Sequence, residues 1–197
     1  MTVDVIIGGT SKAGTTALYE MLGQHPDIFL PQRKELHYFS RPYLASQMKG
    51  PGDAAVLAQI PDTRASYLAH YAGKVDGQVA MDISPSYLFC HACAQDILAE
   101  LPEAKMVFCL RNPVDKVFSQ YVHLVGEGRE TLSFEDGLAA EATRKTQGYS
   151  DMWLYTESGS YADSVAAFFD TFGSDRVKII LFDDLRANPQ ACLNEIC

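Results

Sequence analysis

A chain of 197 residues, 47% of them hydrophobic and 21% charged, has the length and apolar content of one folded α/β domain rather than of a disordered tail. Sixteen Lys and Arg against twenty-five Asp and Glu give a net charge of -9, which disfavours diffuse attraction to nucleic acid or an anionic membrane, so any bound anion has to be gripped locally. No apolar run approaches the length of a membrane span, and the opening MTVDVIIGGT lacks a basic segment and a cleavable apolar stretch, so the expected compartment is the cytoplasm.

In chain order, the β-branched run from Val3 to Ile7 is a predicted strand, closed by Gly8-Gly9 and followed by a helix from Thr15 to Gln24 with Leu18, Met21 and Leu22 on one face. Further strands are expected at Ile28 to Leu30, Val79 to Met81, Lys105 to Leu110 and Val177 to Phe182. Helical spacing occupies His91 to Leu101, Pro113 to Val125, Ser133 to Thr146 and Ser160 to Phe172. Strands alternating with helices imply a parallel sheet covered on both faces. The stretch from Gln47 to Ala65, with Gly50-Pro51-Gly52 and Pro61, has no sustained period and reads as a surface excursion. The five cysteines, Cys90 and Cys93 among them, read as small buried packing residues, because a single CxxC leaves a tetrahedral metal site unfinished. Asn188-Pro189 opens a last helix that stops at Cys197 after about two turns, so a missing C-terminal tail is expected.

Two motifs carry chemistry. Gly9-Thr10-Ser11-Lys12-Ala13-Gly14-Thr15-Thr16 has the glycine spacing of a nucleotide-binding P-loop, but Thr15 stands where an NTPase carries its lysine, and the lysine lies inside the loop at Lys12. Such a loop and the helix that follows it form an anion cradle from backbone N–H groups. Downstream, the strand Lys105 to Leu110 runs into Arg111-Asn112-Pro113, placing Arg111 at the carboxyl end of a strand, where open α/β sheets bind ligands; Ser119 follows in the next helix. For either residue alone, a structural role is the simpler reading.

Together the two motifs resemble those of the sulfotransferases that use 3′-phosphoadenosine 5′-phosphosulfate (PAPS), in particular the branch with the heparan sulfate and bacterial carbohydrate enzymes. The resemblance extends through Lys34-Glu35-Leu36-His37-Tyr38-Phe39, Asp82-Ile83-Ser84-Pro85-Ser86-Tyr87 and Gly159-Ser160-Tyr161, and so over nearly the whole chain. It implies a P-loop-like three-layer fold, a central parallel sheet flanked by helices, as a single domain over 1–197. It implies that Ser11, Lys12, Ala13, Gly14, Thr15 and Thr16 hold the 5′-phosphosulfate, that Arg111 and Ser119 hold the 3′-phosphate, and that no metal is required. Lys12 then neutralises the departing phosphate, Glu35 is the general base and His37 its neighbour. Glu35 and His37 project to the same side if their segment is extended. Ser84, Tyr87, Trp153, Tyr155 and Tyr161 are weaker candidates for ligand contact. Two departures separate the chain from the heparan branch: Ser40 stands in place of the usual Asp, and Ile83 in place of a usual lysine.

The acceptor is expected to be a hydroxyl of a carbohydrate or small metabolite, with specificity in Arg41 to Tyr71 and Leu124 to Tyr155. Two other readings stay open: a P-loop-type kinase, which would need magnesium and a lysine on the transferred phosphoryl group, and a module that binds PAP, the desulfated cofactor, without turnover. Oligomeric state is not legible.

Overall fold

The computed structural model describes residues 2–197, apart from the His91 side chain. Its strands are β1 (Val5–Gly9), β2 (Ile28–Phe29), β3 (Val79–Ile83), β4 (Lys105–Leu110) and β5 (Val177–Leu181), and they form one all-parallel sheet in the order β2-β3-β1-β4-β5. Its helices are α1 (Thr15–Leu22), α2 (Arg41–Gln47), α3 (Asp53–Leu57), α4 (Arg64–Ala69), α5 (His91–Glu100), α6 (Pro113–Gly126), α7 (Phe134–Ala139), α8 (Glu141–Thr146), α9 (Ala162–Phe172), α10 (Phe182–Ala187) and α11 (Pro189–Ile196).

Alternation along the central strands divides the interior in two. Ile6, Ala80, Met106 and Phe108 pack with Tyr67 of α4, Cys93 and Ile97 of α5 and Phe168 of α9. Ile7, Met81, Val107 and Cys109 pack on the other side with Leu18 and Leu22 of α1, Leu185 of α10 and Cys192 of α11. Because both faces are covered, β1 is buried along its whole length, which is why its sequence runs apolar instead of alternating with polar residues. The expected P-loop-like three-layer architecture is therefore the one observed.

Local differences have local causes. β1 runs two residues beyond the apolar run, because Gly8 and Gly9 pair with Phe108 and Cys109 of β4. Gly9 has φ 144°, and a Cβ there would lie 2.2 Å from the Cys109 carbonyl oxygen, so only glycine permits that approach. The helix expected over Ser133 to Thr146 divides at Ala140 into α7 and α8, and α8 turns Arg144 inward onto Glu130 at 2.7 Å. The Gln47 to Ala65 excursion is not merely surface. It contains α3, whose Asp53 is 1% exposed and is held by the Gly50 N–H at 2.9 Å, Ser150 Oγ at 3.2 Å, Trp153 Nε1 at 3.3 Å and an ion pair with Arg129. Cys90 and Cys93 pack in the core as expected, but as a disulfide with Cα atoms 5.2 Å apart, while Cys109 and Cys192 are buried thiols. Among the described residues no helix is long and apolar enough to cross a membrane.

Candidate active site

Every connection that leaves the carboxyl end of β1, β2, β3 or β4 delivers residues to one cleft, as the change of chain direction at β1 requires. After β1, the Thr10 N–H donates to Cys109 O at 2.9 Å, and the backbone then enters the left-handed region at Lys12 (φ 65°) and Gly14 (φ 87°). Gly14 caps α1 without a side-chain hydrogen bond, so the first-turn N–H groups beside Thr15 and Thr16 have no capping oxygen. Ser11, Lys12, Gly14, Thr15 and Thr16 line the cleft; Ala13 faces the core, so any role it has toward a ligand is through its backbone.

After β4, Arg111 donates from Nη1 to Lys12 O at 3.0 Å and stacks over the Phe182 ring at 4.6 Å. Tyr161 donates its hydroxyl to Arg111 O at 2.7 Å and so supports the backbone at that position. The Arg111 Nε is buried without a partner, a donor that an anionic oxygen would satisfy. Ser119 is half-buried on α6 and does not line the cleft.

The segment after β2 differs from the extended one expected. Glu35 (φ 62°) and His37 (φ 54°) both take left-handed backbone, held by Glu35 N–H to Ile83 O at 3.2 Å and His37 N–H to Ser84 Oγ at 3.0 Å, with Leu36 anchored in the core between them. The two side chains nevertheless meet, His37 Nε2 lying 3.6 Å from Glu35 Oε2. On its other nitrogen, His37 Nδ1 is 2.6 Å from Ser86 Oγ, and Ser86 Oγ is 2.5 Å from Ser40 Oγ. Ser40 Oγ also donates to His37 O at 3.1 Å, so the two serines hold the imidazole through its Nδ1 and through its own carbonyl. Two serines thus stand where the resemblance places an Asp.

Lys34 joins Glu35 to the loop. Its Nζ donates to Thr16 Oγ1 at 3.1 Å, to Thr15 Oγ1 at 3.4 Å and to Glu35 Oε1. Burial pushes the Glu35 carboxyl up, but the His37 hydrogen bond and the Lys34 and His37 charges outweigh it and hold the pKa at about 2. Lys12, Glu35 and His37 are the only non-glycine residues with positive φ among those described, and all three line the cleft.

The remaining lining was not legible as a site. Leu44, Met48 and Val56 come from the segment of α2 and α3, and Glu127, Arg129, Ser150, Asp151 and Met152 from beyond α6. Both lie within the stretches marked for specificity, but no local spacing distinguishes them. Ser86 and Lys34 did lie inside quoted motifs, whereas nothing in the sequence marks Phe182. Conversely, Ser84 and Tyr87 are fully buried and donate to Asp82 at 2.7 Å each, with Tyr67 a third donor at 2.9 Å, so they brace the strand end from within. Trp153 and Tyr155 are core residues under α6. The cleft encloses about 580 Å³, within the range of small-molecule sites.

The sheet order and the glycine loop leading from β1 into α1 define an α/β protein with a P-loop-like fold. The model of the Sulfotransferase family matches residues 4–197, and the chain belongs to that family. It is 38% identical to a sulfotransferase of known structure from Alicyclobacillus acidocaldarius, with a TM-score of 0.96 over 100% of this chain and 80% of the other. It is 32% identical to the human heparan sulfate glucosamine 3-O-sulfotransferase 6 over 161 residues, 80% of this chain and 40% of that protein. To human heparan sulfate glucosamine 3-O-sulfotransferase 3B1 it is 26% identical over 192 residues, 97% of this chain and 44% of the relative. The chain thus spans less than half the length of these two human relatives.

Proposed function

We propose that the chain transfers a sulfuryl group from PAPS to a hydroxyl of a small-molecule or carbohydrate acceptor. The observation that carries this reading is the convergence of Lys12, Glu35 and His37, each in strained left-handed backbone, on one cleft with the unpartnered Nε of Arg111. Backbone of this kind persists where the surrounding structure over-determines it, and it concentrates at functional sites. When bound, the donor supplies an activated sulfuryl group on a phosphate leaving group, and the chain's own residues do the remainder.

The loop from Ser11 to Thr16 and the first amides of α1 hold the 5′-phosphosulfate, with Ala13 contributing backbone only. The Lys12 ammonium, which forms no ion pair among the described residues, neutralises charge where it gathers on the phosphate. Arg111 holds the 3′-phosphate through Nε, and in this reading that phosphate extends past the cleft lining along α6 to Ser119, its second contact. Glu35 Oε2 takes the proton of the acceptor hydroxyl, and the His37 ring, held in place by Ser86 and Ser40, orients that carboxylate from 3.6 Å away.

Calorimetry tests the assignment. Arg111→Ala is expected to weaken PAP by about 10–100-fold while barely changing adenosine 5′-phosphosulfate, which lacks the 3′-phosphate. Equal weakening of both ligands removes Arg111 from this role. Binding of ATP with magnesium in preference to PAP would favour a kinase, and PAP binding with no release of sulfate or sulfated product from labelled PAPS would leave a module without turnover.

A further inference from the structure

Resting on the sulfotransferase reading, we propose that the acceptor is an uncharged alcohol on a compact apolar body, and not an anionic polysaccharide. The cleft has two chemically distinct parts. Its free cationic groups, Lys12 and Arg111, belong to the loop and to the end of β4, where the donor is held. The rest comes from α2, α3, the turn Pro85–Phe89 and residues 150–152, and presents Leu44, Met48, Val56, Phe89 and Met152.

The charges on that second part are carboxylates or are already committed. Arg129 is its arginine, and each of its nitrogens is engaged: Nη2 with Asp53, Nη1 with Glu127 Oε2 at 3.2 Å and Nε with Pro51 O at 2.7 Å. His123 faces the other oxygen of Glu127 at 3.3 Å. Asp151 receives the Tyr43 hydroxyl at 3.0 Å and keeps further acceptor capacity for a hydroxyl of the ligand. A sulfated or carboxylated sugar would therefore meet Glu35, Glu127 and Asp151 without an uncommitted cation, a like-charge juxtaposition that rejects a ligand. An apolar body, by contrast, loses water against the aliphatic and methionine side chains.

The wall is not a loose flap. Asp53 ties α3 to Ser150 and Arg129, and Tyr43 ties α2 to Asp151, so the apolar and acidic surfaces are fixed to each other by buried polar bonds. Ser40, the cap residue of α2, also ends the hydrogen-bond chain from His37, which sets the base against this wall.

The experiment measures turnover of labelled PAPS with three probes, octyl glucoside below its micellar concentration, 4-nitrobenzyl alcohol and an N-sulfated heparosan hexasaccharide, with PAP calorimetry in parallel. The neutral alcohols are expected to be used with kcat/KM about 100-fold or more above that of the hexasaccharide. Met152→Lys and Val56→Lys, each placing a charge in the apolar wall, are expected to raise KM for the neutral alcohols about tenfold while leaving PAP affinity within about twofold. Comparable or preferred use of the hexasaccharide overturns the proposal, as does turnover of neither class by a protein that binds PAP, or an unchanged KM in folded lysine variants. Failure to bind PAP at all overturns the sulfotransferase reading itself and this proposal with it.

Discussion

Left-handed backbone at a residue with a side chain costs about 1–2 kcal/mol, and here it falls on Lys12, Glu35 and His37. If Lys12 is kept for its charge and not for stability, Lys12→Asn should lower the rate about 10²–10³-fold, while the melting temperature stays equal or rises, because Asn tolerates this conformation. Thermal unfolding and single-turnover rates on the same samples check it; a lowered melting temperature with normal turnover is the contrary outcome. Glu35 is the second case. Its pKa near 2 makes a weak base in the free protein, and the lysine that lowers it also holds the hydroxyls of Thr15 and Thr16. Removing that cation in Lys34→Met should raise the Glu35 pKa by about one pH unit or more, read by carbon-detected carboxyl titration. The linkage sign follows: a carboxyl depressed from 4.5 toward 2 stabilises the fold above its unfolded pKa, and this contribution is lost as pH falls through that window. The variant should therefore lose less stability between pH 5 and about pH 2 than the parent.

α6 carries a buried ammonium that the donor and acceptor chemistry does not use. Lys116 is fully buried, donates to Gln120 Oε1 at 2.6 Å and to Ser158 Oγ, and so fastens α6 to the turn at Glu157–Gly159. Burial lowers its pKa to about 7 against the opposing pull of Asp151 and Glu141. Because the unfolded chain keeps this proton up to 10.5, unfolded molecules bind more protons than folded ones above about pH 7, and stability rises with pH there. Urea unfolding at pH 7 and pH 9 should show a rise of about 1–3 kcal/mol from this group, absent in Lys116→Met. An identical pH dependence in the two proteins would mean that the amine is charged and solvated when folded. Asp151, across the same layer, is pushed up to about 6 by burial and still ionises at neutral pH, so this side of the cleft keeps its acidic character there.

The whole molecule joins a sheet that positions the loop and the arginine to a wall drawn from two distant stretches of chain. Asp53 is the joint: its partners Arg129, Ser150 and Trp153 lie 76, 97 and 100 residues away. Asp53→Asn leaves a mostly buried guanidinium short of its counter-charge and is expected to cost about 2–4 kcal/mol. Since the donor end is held by β1, β4 and α1, PAP affinity should be unchanged while acceptor KM rises, and saturating PAP should restore stability by about 2.7 kcal/mol at 100 times its Kd. Equal loss of PAP affinity would mean that the two ends of the cleft are one cooperative unit.

The glycine loop, the strand running into Arg111 and the Lys34 to Phe39 motif were legible in the sequence because they are local: a parallel strand buried on both faces is a continuous apolar run, and a phosphate loop needs its glycines at a fixed spacing. Those signals located the sheet, its two helical layers and three residues that the fold brings to one cleft. What they could not contain was long-range. The positive φ at Glu35 and His37 depends on bonds to Ile83 and Ser84 of β3's end, the serine support of His37 needs Ser40 and Ser86 to meet, and the acidic, apolar wall exists only once Asp53 finds Arg129. Backbone spacing is set by neighbours along the chain, so it can be read there; burial and charge pairing are set by neighbours in space, and only the folded structure decides them.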